Sequence, residues 1–347
     1  MTIFELVTSQ EIAAYWETMT QDRAPYPTEE LFPNNKKRGL RLSRLKGSSG
    51  IPVVLKTSAF DATAIPRPRI GFDKLSADMP YFKESKYVDE EMRQELNMVL
   101  ETGNQAYIDT VMNNIFDDQT DLLEAAAASR ERMRMMALTT GVVSMANNGQ
   151  TFSYDYGMPS AHKADAATKW SIVASADPLE DIRIGKEKIE DDTGVTVTRA
   201  MCDAKVWKNL RNNDTIKKSI FVLSNGGTTV SDARLHQYIL DETGIDVRVN
   251  SKRYRDETGA TQPFMPANTF VMFPDGQLGQ TWFGTTPAES DLMSDSVANV
   301  SITDTGVAIT TSKKVDPVNV ETIVSMICLP DFPTADQVYI IDTEPSD

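Results

Sequence analysis

Cysteine and histidine are almost missing from this chain, with two of each in 347 residues. Cys202 and Cys328 stand far apart and in no metal-ligand spacing, which excludes a disulfide framework and a thiolate zinc site. Two reduced, buried thiols are expected instead. His162 and His236 have no Ser, Cys or metal partner at a recognisable spacing, so each is expected at the surface or satisfied by a neighbour rather than as a catalytic base. Long apolar runs are missing too. No segment approaches the roughly 20 apolar residues that cross a bilayer. The opening MTIFELVTSQEIAAYW has neither the basic nor the apolar region of a secretory signal. The reading is a cytoplasmic chain with no membrane contact.

Motifs for chemistry are equally scarce. SNGGTTVSD places two glycines before a helix start, but it is neither a Walker loop nor a dinucleotide fingerprint. The acidic runs Glu190–Asp192 and Asp241–Glu242 lack calcium-loop spacing and read as solvated helix ends. No catalytic, cofactor-binding or metal-ligating residue is expected, and the chain does not read as an enzyme.

What is present is an uneven charge. The net charge is −15, yet Lys36–Lys74 holds ten basic residues, Arg41, Arg44, Lys56, Arg67 and Arg69 among them, against Asp61 and Asp73 alone. That stretch is therefore +8 and the rest of the chain −23. A basic segment on an acidic body binds either nucleic acid or another copy of the same body. Phe60 and Phe72 are the only aromatics among its charges, which weakens a base-stacking role.

The basic stretch contains GSSGIPVVLKTSAFDATAIPRPRIGF, residues 47–72, which reads as two extended strands and a turn. Ile51 and Val53 share one face of the first strand, and Ile70 an apolar face of the second. Pro66 and Pro68 confine the second strand to an edge or a free-standing arm. Arms of about 12 residues reach on the order of 40 Å. A lone two-stranded ribbon is marginal in water, so this one must lie on something.

Around the ribbon the chain reads as α+β. Thr8 and Glu11 form a capping pattern ahead of a short helix through Ile12, Trp16 and Met19, followed by a proline-rich stretch to Asn35. Helical periodicity runs from Val88 to Phe116 with a break at Gly103. Asp121 with Glu124 then starts a second helix that ends at Gly141. In it Leu122, Ala126, Met133, Met136 and Ala137 line one side, and Arg130, Glu131, Arg132 and Arg134 lie elsewhere. A hairpin turns at Asn147-Asn148-Gly149. Two helices ending in Thr-Gly, at Gly194 and Gly244, are each followed by a strand (Val195–Thr198 after the first), which marks an α/β domain over roughly Ser171–Phe273. The final strands GVAITTSKK, VETIVSMICL and QVYIIDT return to a sheet, expected to be the one begun near Gln150.

Several phrases in this order carry a resemblance: TTGVVSM closing the long helix, Trp170 followed by ADPLEDI, DAKVWKNL, and FMPANTFVMFPDGQLGQTWFG. Together they resemble the capsid protein E family, that of the bacteriophage lambda major capsid protein. The resemblance implies the Hong Kong 97-type capsid fold. In that fold 1–46 is an N-terminal arm, 47–80 an extended loop and 171–275 an axial domain. Residues 81–170 and 276–347 form a peripheral domain with its spine helix at about 121–140. It also implies a homo-oligomer of pentamers and hexamers, assembled in a host cytoplasm into a virion shell. That shell encloses double-stranded DNA without sequence-specific binding, with scaffolding, portal and decoration proteins as partners. Lysine cross-linking through Lys56 is not expected in this branch. An encapsulin-like cellular shell of the same fold is the alternative, and a nucleic-acid-binding protein using 36–74 a weaker one. On the shell reading the ribbon packs on a neighbouring subunit. Its contact candidates are Arg41, Arg44, Ile51, Val53, Lys56, Arg67, Arg69 and Ile70, facing Glu90, Glu91, Asp117 and Asp118.

Overall fold

The computed structural model describes residues 3–21, 23–46, 73–147, 149–222, 229–293, 298–315 and 318–346. The chain divides into two compact units, one of residues 1–42, 77–134 and 280–331, the other of 43–76, 135–279 and 332–347.

The first unit is built on a six-stranded sheet around the long strand Val318–Asp331. Val307–Val315 and then Ala298–Thr303 extend it antiparallel on one side. On the other, Tyr81–Tyr87 and Gln280–Phe283 pair with successive stretches of the same strand, and Asn34–Lys36 adds parallel to Gln280–Phe283. Helix α1 (Ile3–Leu6) opens the chain. Helix α2 (Ser9–Thr20) is capped by Thr8, whose hydroxyl accepts from the Glu11 N–H, and it buries Ile12 and Trp16. It packs on Ala298–Thr303.

Helix α3 (Glu90–Thr102) is capped by Asp89 and stops at Gly103 as expected. Helix α4 departs from expectation: it runs unbroken over the 36 residues Gln105–Thr140. Asp121 does not cap a new helix, because its carboxylate takes Lys86 Nζ at 3.0 Å. With no Gly or Pro between Asn104 and Thr140, nothing interrupts the ladder, and Ile115, Gln119 and Leu123 bury its early face.

The second unit carries a five-stranded sheet in the order Lys163–Asp165, Tyr339–Asp342, Thr269–Phe273, Arg199–Cys202, Asp246–Val249. Helices α5 (Pro178–Thr193), α6 (Ala204–Asn212), α7 (Asp214–Val222) and α8 (Asp232–Thr243) accompany it. One apolar core joins Trp170, Ile182, Ile189, Leu235, Ile239 and Phe270. The repeated Thr-Gly signal holds. Gly194 and Gly244 both sit at φ 71°, the left-handed cap that favours glycine. Asp177 and Ser231 cap the two helices.

Three strand expectations are corrected. The strand after Gly194 is Arg199–Cys202, not Val195–Thr198, because its ladder with Phe270–Phe273 starts at Arg199. The hairpin Val142–Asn147/Gln150–Asp155 forms as expected, but it is a two-stranded sheet and takes none of the returning strands. Tyr339–Asp342 instead pairs with Thr269–Phe273, so the last strand completes the five-stranded sheet, while the two strands before it belong to the six-stranded one.

Helix α5 meets its sheet at Gly185, where an added Cβ would stand 2.6 Å from Tyr339 Cδ1 and press on Met272 Cε. Alanine gains about 1 kcal/mol of helix propensity there, but overpacking against a ring costs about 1–3 kcal/mol. Gly185→Ala is expected to lower the unfolding free energy by about 1–2 kcal/mol in urea titration. A variant as stable as the parent would contradict this close packing.

Candidate functional site

The sequence places its unexplained contact residues on the ribbon, and the fold supplies the stem. The chain leaves on Arg41–Lys46 and comes back on Asp73–Asp78, and these strands pair. Arg41 is exposed, with Nε 2.9 Å from Asp78 Oδ1. Arg44 lies on the outgoing strand. Ile51, Val53, Lys56, Arg67, Arg69 and Ile70 lie outside the described residues.

The acidic candidates fall into two groups. Glu90 and Glu91 form the exposed first turn of α3. Hydrogen bonds from Arg93 and Gln94 hold the Glu90 carboxyl below the usual range. Asp117 and Asp118, in contrast, are engaged inside their own unit. Tyr15 donates to Asp117 at 2.5 Å, and that bond pushes the phenol up to about 12. Asp118 holds Lys86 Nζ at 2.5 Å.

A cluster that sequence reasoning missed sits on α4 in the same unit. Arg130, Glu131 and Arg134 were expected away from the buried side, yet they are 4%, 0% and 1% exposed. Each is buried because a partner reaches it. Arg130 Nη2 meets Asp304 Oδ2 at 2.7 Å, and its guanidinium lies 5.8 Å from the Phe283 ring centre. Arg134 donates to Thr281 Oγ1 at 2.8 Å and to Asn34 Oδ1 at 2.5 Å. Thr28 donates its hydroxyl to Glu131 Oε2. Asp304 also accepts from the Trp16 indole N–H at 3.3 Å. The signal that could have revealed the cluster is local. Met133, Met135, Ala137 and Leu138 do not share one helical face, and a helix that must bury apolar residues on several faces buries the charges between them as well.

The rarer reactive groups are all committed elsewhere. Burial pushes the Cys328 thiol up to about 12 and raises that of Cys202 as well, and both thiols are free. In the second unit His162 Nε2 lies 2.9 Å from Asp192 Oδ2, and His236 Nε2 2.6 Å from Asp246 Oδ1. Among the described residues no group of three or more His, Cys, Asp or Glu could hold a metal ion, and no helix is long and apolar enough to cross a membrane. These arrangements pair and pack side chains. None of them presents an activated nucleophile.

Glu131 has a measurable consequence. Loss of hydration raises its pKa to about 7, against the lowering effects of the Thr28 hydrogen bond and the Arg134 charge. The folded chain thus holds this proton more tightly than the unfolded chain. The associated stability is complete below the ordinary carboxyl range and is lost as pH rises through about 7. The shift corresponds to about 3 kcal/mol. Glu131→Gln, which keeps an acceptor for Thr28, is expected to stabilise the chain by about 1–3 kcal/mol at pH 8 and to change little at pH 4.5. Denaturant melts at the two pH values check this, and an equal effect at both would refute it.

Comparison with known proteins places these features. A model of the family "Phage major capsid protein E" matches residues 8–342. Comparison with curated protein sequences finds no match. Among solved structures, a protein assigned as a prophage capsid protein of E. coli CFT073 aligns over 97% of this chain and 99% of its own, with TM-score 0.60 and 15% identity. A phage-related protein of Bordetella bronchiseptica RB50 aligns over 98% and 99%, with TM-score 0.57 and 11% identity. A chain of the cyanophage A-1(L) capsid aligns over 91% of each, with TM-score 0.51 and 10% identity. At such identities the likeness is one of fold, the Hong Kong 97-type capsid fold. Matched from residue 8 to residue 342, this chain belongs to the phage major capsid protein E family and has a structural role in a capsid.

Proposed function

We propose that this chain assembles through its basic ribbon into an icosahedral shell of pentamers and hexamers that encloses double-stranded DNA. The observation that carries the reading is the family match over nearly the whole chain, joined to a +8 segment whose stem is anchored in the fold. In this reading residues 1–46 are the N-terminal arm and 47–80 the extended loop. Residues 81–170 and 276–347 make the peripheral domain, with α4 as its spine. Residues 171–275 make the axial domain, completed by Tyr339–Asp342. Assembly takes place in the host cytoplasm with a scaffolding protein and a portal, and a decoration protein joins the shell. The chain acts as structure, without a catalytic step.

The shell lining does not grip DNA. A body of charge −23 repels phosphate, and tight binding would hinder packing and ejection. The ribbon instead meets the acidic surface of a neighbouring copy. Asp117 and Asp118 already serve Tyr15 and Lys86, and Glu90 serves Arg93, so the exposed Glu91 beside it is the better counterpart for Arg67 and Arg69.

Negative-stain microscopy and sedimentation of the full chain, with scaffold supplied, test the shell. Closed particles or capsomers are expected, and a compact monomer at every concentration would overturn it. Reversing Arg67 and Arg69 to glutamate tests the contact. Single exposed pairs contribute at most about 1 kcal/mol, but a lattice repeats them in every subunit. The double variant should fold, fail to assemble at low salt, and recover in part as salt screens the new repulsion. Unchanged assembly would transfer the contact to Ile51, Val53 and Ile70.

A further inference from the structure

We propose that a cleft in the six-stranded unit, lined by Arg23, Arg130 and Arg134, is a binding site for an oxyanion, a carboxylate or a phosphate group. The cleft measures about 380 Å³, more than a bare ion needs and within the roughly 300–1,000 Å³ of ligand sites. Its lining carries three guanidinium groups and only two carboxylates, Glu29 and Asp304. Arg23 is met from outside the lining by Glu124 at 3.8 Å and Arg130 by Asp304, so the guanidinium without a carboxylate in contact is that of Arg134.

The arginines differ in how far each is satisfied. Arg130 spends Nη2 on Asp304, while its buried Nη1 has no partner. A buried donor left unmade costs about 1–3 kcal/mol, so an incoming acceptor has something to gain. Arg134 gives its two hydrogen bonds to neutral oxygens, on Thr281 and Asn34. Burial and the neighbouring Arg130 charge both lower its pKa, which an anion would reverse. Arg23 stands at the rim, one-third exposed, with Nη1 3.8 Å from the exposed Glu124 Oε1. Tyr26 OH accepts from it at 2.8 Å, and its guanidinium lies over the rings of Tyr26 and Trp16, 5.0 and 6.0 Å from their centres. That π-face clamp holds a flexible cation in place, so little side-chain entropy is lost when it closes on an anion. Asp304 cannot supply the missing charge, because Arg130 and Trp16 already share it. Trp16, Pro25 and Pro33 add apolar wall beside the arginines.

The same anionic head could arrive on a free ion or on an acidic segment of chain, and the test separates the two. Full-length protein at constant ionic strength is titrated with inorganic phosphate and with the peptide acetyl-Asp-Glu-Glu-amide, following calorimetry and tryptophan fluorescence. Saturable binding near a dissociation constant of about 1 mM is expected for phosphate, where chloride gives none. Tighter binding by the peptide assigns the site to an acidic chain, and binding by phosphate alone assigns it to a free ion. Arg23→Gln is expected to weaken binding about fivefold or more. Glu29→Gln removes a competing carboxylate and is expected to tighten it by a similar factor, a gain that misfolding cannot imitate. Phosphate and peptide no better than chloride would overturn the proposal. Affinities unmoved by both substitutions would do the same. Neither outcome depends on whether shells form.

Discussion

Burying Arg130, Glu131 and Arg134 on little more than one turn of α4 is the constraint on which the first unit depends. Charges taken out of water cost several kcal/mol each unless hydrogen bonds and counter-charges receive them. Asp304 must therefore come to Arg130, Thr28 to Glu131, and Asn34 and Thr281 to Arg134. Those partners come from the N-terminal stretch, from the strand Gln280–Phe283 and from the turn after Ala298–Thr303. Three distant parts of the sequence thus converge on one helix. Apolar contacts alone would tolerate a slipped register. A guanidinium with fixed donors does not.

The network also explains an order that composition alone does not. Residues 24–35 are rich in proline and polar groups, the composition of a free arm. Yet the Asn34–Lys36 strand pairs parallel with Thr281–Phe283, and Phe32 is fully buried. The stretch is held down because it carries Thr28 and Asn34, which the helix needs. The second unit solves its packing by other means, with an apolar core and two helices stopped by glycine. Its ion pairs, such as Arg183 with Glu242 and Lys188 with Asp192, lie on partly exposed side chains outside that core.

Legibility followed locality. Caps and stops were readable because their chemistry lies within a few residues: Thr8 with Glu11, Gly103, Gly194 and Gly244. The unbroken α4 was misread because Asp121 looks like a cap, and only Lys86, 35 residues away, shows that its carboxylate is in use. The homes of the returning strands were misassigned because three similar β-rich phrases carry no label of their sheet. Only the registers of Val318–Asp331 and Tyr339–Asp342 distinguish them. The cleft was invisible for the same reason. Arg23, Arg130 and Asp304 span most of the chain, and their meeting is a tertiary fact.

The stem gives the ribbon its mechanical character. Just before it departs, the chain is fixed by Lys36 on Glu289 at 2.6 Å and by the Lys37 N–H on the Phe283 carbonyl at 2.8 Å. On its return, the Met79 N–H donates to the Leu40 carbonyl at 2.9 Å, and Asp78 meets Arg41. Gly284 lies so close that an added Cβ would stand 2.8 Å from the Gly39 carbonyl, which fixes the stem to the sheet edge. The strands Arg41–Lys46 and Asp73–Asp78 are thereby brought together on one base, so the two ends of the intervening segment are held at strand-pairing distance. In the proposed shell this base sets where each copy's ribbon departs, and weak exposed pairs repeated in every subunit can then sum.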